Sequence, residues 1–222
     1  KLLRNLAHAC DRAGVYALTF VDAAGAMGPA ACRYVVSEVK KAAPNLTLGM
    51  HTHNDLGLAT ANALAGVEAG ASQVDVTING VGARAGNATL AEVVVALESL
   101  YGIETGVDAS KLTGLTNLFE QLSGWPTPKD KPLVGDYAFN DTSDTHSFLM
   151  KFDPLQFPPV LPKLVGNQRQ SHLDLKSGIN TPRMRLKEIG LEVPEEGLPR
   201  LWASVQKNSR ASGAPSAKPN CA

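Results

Sequence analysis

Apolar residues recur at helical spacing at Leu2, Leu3, Leu6, Ala7 and Cys10, and Gly14 stands where a helix C-cap is expected. The next run, residues 15–21, is short, almost continuously apolar and ends at Asp22, the pattern of a strand buried on both faces. From Pro29 the spacing is helical again through Lys40, with proline at the first position, where its missing N–H has no partner to lose. Pro44 and Asn45 turn the chain into a second strand over 46–53, and a helix over 58–68 stops at Gly70. A third strand is expected over 72–79 and a fourth helix over 90–100. Short connections in this α-β-α-β-α-β-α order call for a parallel sheet. Three strands are too few for a whole α/β barrel or doubly wound domain.

After residue 102 the texture changes. Residues 103–123 look helical, and the breakers Trp125-Pro126-Thr127-Pro128 follow. Prolines 132, 154, 158, 159 and 162 exclude a long regular element between 131 and 175. A short basic helix is expected over 181–190, and the Ser-, Ala-, Pro- and Gly-rich end from about 208 reads as mobile. The expected division is therefore a barrel segment over 1–102, a helical linker over 103–135, a small subdomain over 136–205 and a flexible tail over 206–222.

Composition narrows the class. Of 222 residues 44% are hydrophobic and 19% charged, enough for a packed core and too apolar for a disordered chain. Lys+Arg and Asp+Glu are both 21, so no electrostatic footprint for nucleic acid or an anionic membrane is present. No stretch approaches the ~20 apolar residues of a membrane span. Cys10, Cys32 and Cys221 stand far apart with no CxxC pair, which fits a reducing compartment and a cytoplasmic protein.

The candidate chemistry lies in Met50-His51-Thr52-His53-Asn54-Asp55. On a strand, residues i and i+2 share a side, so His51 and His53 aim both imidazoles into one space and supply half of a site for a divalent metal. The plainer reading, one histidine packed and one exposed at a strand end, stands beside it. Parallel α/β folds carry their sites at the C-terminal strand ends, where these histidines fall. The loop Gly80-Val81-Gly82-Ala83-Arg84-Ala85-Gly86-Asn87 leaves the third strand and is expected beside them. Its glycines allow close backbone approach, Arg84 offers a bidentate guanidinium to a carboxylate or phosphate, and Asn87 either ligates a metal or caps the next helix.

These two motifs, at this separation, resemble the isopropylmalate, homocitrate and citramalate synthase family, the synthase branch of the metal-dependent TIM-barrel lyases and synthases. The similarity extends to Asp22-Ala23-Ala24-Gly25, Lys131-Pro132-Leu133-Val134-Gly135, Leu164-Val165-Gly166-Asn167 and Lys176-Ser177-Gly178, and so covers the chain to about residue 205. The resemblance implies an α/β chain holding the C-terminal part of a TIM (β/α)8 barrel, followed by a small helical and irregular subdomain. It implies a divalent cation, Mg2+, Mn2+ or Zn2+, on His51, His53 and Asn87. Asp22, Gly82, Arg84 and Gly86 would meet the substrate, and His146 would assist acid–base chemistry. The implied reaction is a Claisen-type condensation of acetyl-CoA with a 2-oxo acid, in a domain-exchanged homodimer that leaves Phe148, Phe152 and Phe157 exposed on the single chain. Judged on its own, His146 is an ordinary loop histidine.

Departures from the family pattern are specific. Its Asp-Thr-Val-Gly is Asp22-Ala23-Ala24-Gly25 here, its Gly-Glu-Arg-Ala-Gly-Asn has Ala83, and its Ser-Gly-Ile-His is Ser143-Asp144-Thr145-His146. The barrel strands expected to carry a metal-binding aspartate and an enolate-stabilising arginine precede this sequence in the family. The 222 residues by themselves are therefore expected to be inactive and marginally folded. Two other readings remain: a hydroxymethylglutaryl-CoA lyase or 4-hydroxy-2-oxovalerate aldolase, and an inactive remnant or partner subunit. The lyase usually carries a cysteine in the loop that here runs from Gly80 to Asn87 without one.

Overall fold

The computed structural model of the chain describes residues 1–140, 143–150, 152–169 and 177–212. Lys1–Thr127 and Pro128–Ala222 form two separate compact units. In the first unit the order is α1 (Leu2–Arg12), β1 (Ala17–Asp22), α2 (Pro29–Ala42), β2 (Thr47–Thr52), α3 (Ala59–Glu68), β3 (Gln73–Asp75), α4 (Leu90–Tyr101) and α5 (Leu112–Ser123). The strands lie in sequence order and both pairs are parallel, as expected of consecutive β/α units of a barrel.

The register sorts the strand residues into two faces. Leu18 and Phe20 of β1 and Leu48 and Met50 of β2 pack with Cys32, Val36 and Val39 of α2 and Ala65 of α3 in one apolar cluster. Met50 is fully buried, and a Cβ on Gly66 would fall 2.4 Å from its Cγ, so glycine at 66 is what lets α3 approach β2. The opposite face carries Ala17, Thr19, Val21, Thr47, Gly49, His51, Gln73 and Asp75. Here the structure corrects the reading of residues 15–21 as buried on both sides: Thr19 and Val21 are exposed, and only the helix-facing side is covered. Val21 is the one large apolar side chain left open on that face.

Two elements are shorter than their apolar patterns suggest. Strand β3 ends at Asp75 rather than 79, because Thr77 leaves the sheet to pair with Thr89 and residues Ile78–Gly80 form a 3-10 turn. The expected helix over 103–123 begins only after a 3-10 turn at Ala109–Lys111. Gly102, at φ +65°, stops α4 in a left-handed C-cap, and the segment 103–108 is irregular.

The second unit holds α6 (Asp144–Leu149), α7 (Asn180–Glu188) and α8 (Leu198–Ser212). Asp144, a departure from the family pattern, accepts hydrogen bonds from the backbone N–H of Asn180 (2.5 Å) and Thr181 (3.2 Å) and thereby caps α7. Asn167 donates to the carbonyls of Leu133 and Gly135, both at 3.0 Å. Helix α8 continues through residue 212, past the expected start of the tail at 206, and Leu198 and Trp202 are buried in its first turns. Residues 213–222 and Lys176 of the Lys-Ser-Gly motif lie outside the described residues. Among the described residues no helix is long and apolar enough to cross a membrane.

Candidate functional site

The C-terminal end of β2 is where the first unit concentrates its polar side chains. Alternation keeps His51 and His53 on one side, with ring centroids 5.1 Å apart and planes tilted by 59°. Beyond β3 the chain doubles back beside that end. His53 and Asn87 form an isolated antiparallel bridge, Asn54 N–H donates to Gly86 O (2.8 Å), and Ala88 N–H donates to Thr52 O (3.2 Å). Asn87 N–H closes the loop on Gly80 O at 2.9 Å.

This pairing brings together two atoms that lack partners. His53 Nδ1 and Asn87 Oδ1 are both buried and neither makes a hydrogen bond. An orphaned buried polar atom costs about 1–3 kcal/mol, a cost that a cation coordinated by both atoms would relieve. An imidazole nitrogen and an amide oxygen suit a divalent cation. The residues present therefore fit a metal, and Asn87 does not act as a side-chain cap of α4, whose N-cap is Thr89. Among the described residues no three His, Cys, Asp or Glu side chains cluster tightly enough to hold an ion.

The glycines of the loop have separate tasks. A Cβ on Gly82 would lie 2.5 Å from Asn87 Oδ1, inside the space beside that oxygen. Gly86 sits at φ +93°, and a Cβ there would lie 1.9 Å from Gly80 O. Both positions thus leave the space that seats Asn87.

Arg84, expected at the substrate, is engaged within the protein. Its Nε and Nη2 donate to the two carboxylate oxygens of Asp55 at 2.7 and 2.9 Å, and Nη2 also donates to Ala23 O at 2.8 Å. One guanidinium therefore ties the loops after β1, β2 and β3 together. Its hydrogen bonds hold the Asp55 carboxyl below the usual carboxylate range. Asp55 was not singled out by sequence pattern, although its place after the His-Thr-His strand end was the available signal. Asp22, also expected at the substrate, is buried and accepts from Ala26 N–H and Met27 N–H, both at 3.2 Å, which makes it the latch of its own turn. Burial and then the Asp22 charge push the thiol of Cys32 up, so this core cysteine is poorly nucleophilic.

A second residue escaped the sequence reading. Asp75 pairs with His51 in the β2–β3 register, and its Oδ2 is 3.1 Å from His51 Nδ1. In the second unit, His146 belongs to α6 instead of a loop, is half-buried, and stacks on Phe157 with centroids 3.9 Å apart. Phe148, Phe152 and Phe157 are all exposed.

Residues 1–119 match the family described as HMGL-like. Over 200 residues the chain is 41% identical to a putative (R)-citramalate synthase of Methanopyrus kandleri, covering 90% of this chain and 39% of that one. It is 36% identical to a probable 2-isopropylmalate synthase of Ignicoccus hospitalis, with 92% and 51% covered. It is 37% identical to a homocitrate synthase of Methanopyrus kandleri, with 96% and 52% covered. The chain thus spans about half, or less, of the length of these curated relatives. Among solved structures it is similar to an HMG-CoA lyase from Acinetobacter baumannii in complex with coenzyme A and 3-methylmalate. That similarity has a TM-score of 0.50 at 30% identity and covers 56% of this chain and 42% of that chain.

Proposed function

The chain belongs to the HMGL-like family, and from that membership we propose that it carries a strand-end half-site of an enzyme condensing acetyl-CoA with a 2-oxo acid. The products would be CoA and a 2-hydroxy dicarboxylic or tricarboxylic acid. The names of the curated relatives support the substrate class, since they are citramalate, isopropylmalate and homocitrate synthases. The observation that carries the site is the pair of buried atoms without partners, His53 Nδ1 and Asn87 Oδ1.

His51, His53 and Asn87 would hold a divalent cation, Mg2+, Mn2+ or Zn2+. When bound, the cation supplies a Lewis acid for the keto oxygen of the 2-oxo acid. The protein's own part is to keep the three donors in register. The His53–Asn87 bridge and the Gly86 O···Asn54 hydrogen bond do this from below, and the Arg84–Asp55 clamp holds the flanking loops. Arg84 keeps Nη1 outside that clamp, where it can meet a substrate carboxylate. His146 is proposed as the acid–base group of a homodimer whose formation would cover the exposed rings of Phe148, Phe152 and Phe157. The proposed setting is the cytoplasm, where the free thiols Cys10 and Cys32 stay reduced.

The test is equilibrium titration with Mn2+, alone and with 2-oxo acids of different side chains. One cation per chain is expected, bound more tightly with a 2-oxo acid than with the corresponding simple carboxylic acid. His53→Ala and Asn87→Ala should each abolish that enhancement. Wild-type protein that takes up no divalent cation would overturn the site. Release of thiol from acetyl-CoA with one 2-oxo acid supports the synthase, whereas formation of acetyl-CoA from hydroxymethylglutaryl-CoA would assign the lyase.

A further inference from the structure

We propose that Asp75 is a positioning residue for the candidate metal centre: it holds the Nδ1 proton of His51 and so keeps the Nε2 lone pair for the cation. The inference rests on the metal reading above but has its own consequence in the metal-free protein. Strand pairing sets His51 opposite Asp75 on the face turned away from the helices, and Asp75 Oδ2 lies 3.1 Å from His51 Nδ1. An ionised carboxylate has no proton to donate, so a hydrogen bond at that distance requires the proton to sit on the imidazole Nδ1. The only unprotonated nitrogen of a neutral His51 is then Nε2, the atom left for coordination.

The two histidines are thereby treated differently. His53 has an unpartnered, buried Nδ1, whereas the Nδ1 of His51 is engaged. The carboxylate of Asp75 faces His51 through Nδ1, 3.1 Å away, which gives it a part distinct from that of the coordinating atoms. A carboxylate that orients a metal-binding imidazole through its remote nitrogen fixes the tautomer and the ring angle, and loss of such a partner weakens metal binding by about 10–100-fold. Asp75 itself is largely exposed, with 58% of its side-chain surface open, so replacing it removes little packing.

The tautomer is read by long-range 15N–1H correlation on histidine-labelled protein without metal, at alkaline pH where imidazole is neutral. The expected result is a proton on Nδ1 of His51 in the wild type, moved to Nε2 in Asp75→Ala. Asp75→Asn, whose Oδ1 still accepts, should restore it. Mn2+ affinity should fall about 10–100-fold in Asp75→Ala and recover most of the way in Asp75→Asn. A carboxylate acting only through its charge would give no recovery with asparagine, and that result overturns the proposal. So does a wild-type His51 protonated on Nε2, a reading that needs no variant to fold. An unchanged Mn2+ affinity in Asp75→Ala, despite a switched tautomer, refutes the positioning role. A wild type that takes up no cation but keeps the Asp75-dependent tautomer fails the metal reading alone.

Discussion

Gly86 is the position where one added methyl should do the most damage. Its φ of +93° disfavours any L side chain, and the new Cβ would lie 1.9 Å from Gly80 O and 3.1 Å from its carbonyl carbon. Both contacts are with backbone, so relief requires the loop to open. Opening breaks the Asn87 N–H···Gly80 O and Asn54 N–H···Gly86 O bonds that fasten the loop to the end of β2. Strain of about 1–3 kcal/mol and two hydrogen bonds at about 0.5–1.5 kcal/mol each put Gly86→Ala at about 2–6 kcal/mol. That is a large part of a typical net stability of about 5–15 kcal/mol. Gly57→Ala is the matched control: its φ is +72°, but nothing lies within 4 Å of the added Cβ, so only the strain is paid. Urea unfolding followed by far-ultraviolet circular dichroism should show a lower midpoint for Gly86→Ala than for Gly57→Ala. Equal midpoints would show that the loop yields freely and that the tight seat for Asn87 does not exist.

Three further outcomes are expected. Met50→Ala empties the fully buried contact between β2 and α3 and should lower unfolding stability by about 2–5 kcal/mol, with an unchanged midpoint counting against that core. Asp144→Ala removes the acceptor for the Asn180 and Thr181 amides and should cost about 0.5–2 kcal/mol, read as faster amide exchange at the start of α7. The folded Asp55 carboxyl lies below its unfolded value, so the Arg84 clamp contributes fully above the unfolded aspartate range near ~4 and is lost as pH falls through the lower, folded value. The Arg84 Nε–H resonance should therefore stay constant through neutral pH and move only in acid. Movement at or above the ordinary aspartate range would refute the clamp, and Asp55→Asn should abolish the acid transition.

Much of the first unit was legible because its signals are local. Helices α1 to α4 and strands β1 and β2 follow from the change between helical and strand periodicity, and the His-x-His spacing sets two imidazoles on one face with no knowledge of the fold. The loop glycines were likewise visible as places of close approach. Periodicity failed where a neighbour decided the outcome. Residues 76–79 look like strand, yet Thr77 pairs with Thr89.

The chemical roles divide in the same way. Residue types and spacing established which groups are available: two histidines, an asparagine, an arginine and an aspartate near strand ends. Only tertiary structure decided how each is spent. Arg84 and Asp55 are 29 positions apart in the chain and meet through the return of the loop after β3, which adds a clamp to the guanidinium's part. Asp22 is consumed by the amides of Ala26 and Met27. His51 and Asp75 face one another only because parallel pairing sets that register, and a slip of one residue would carry Asp75 to the helix face. Side-chain direction along one strand is a property of the sequence, but the partner across the sheet is set by packing, and that is where the site's hydrogen bonds are determined.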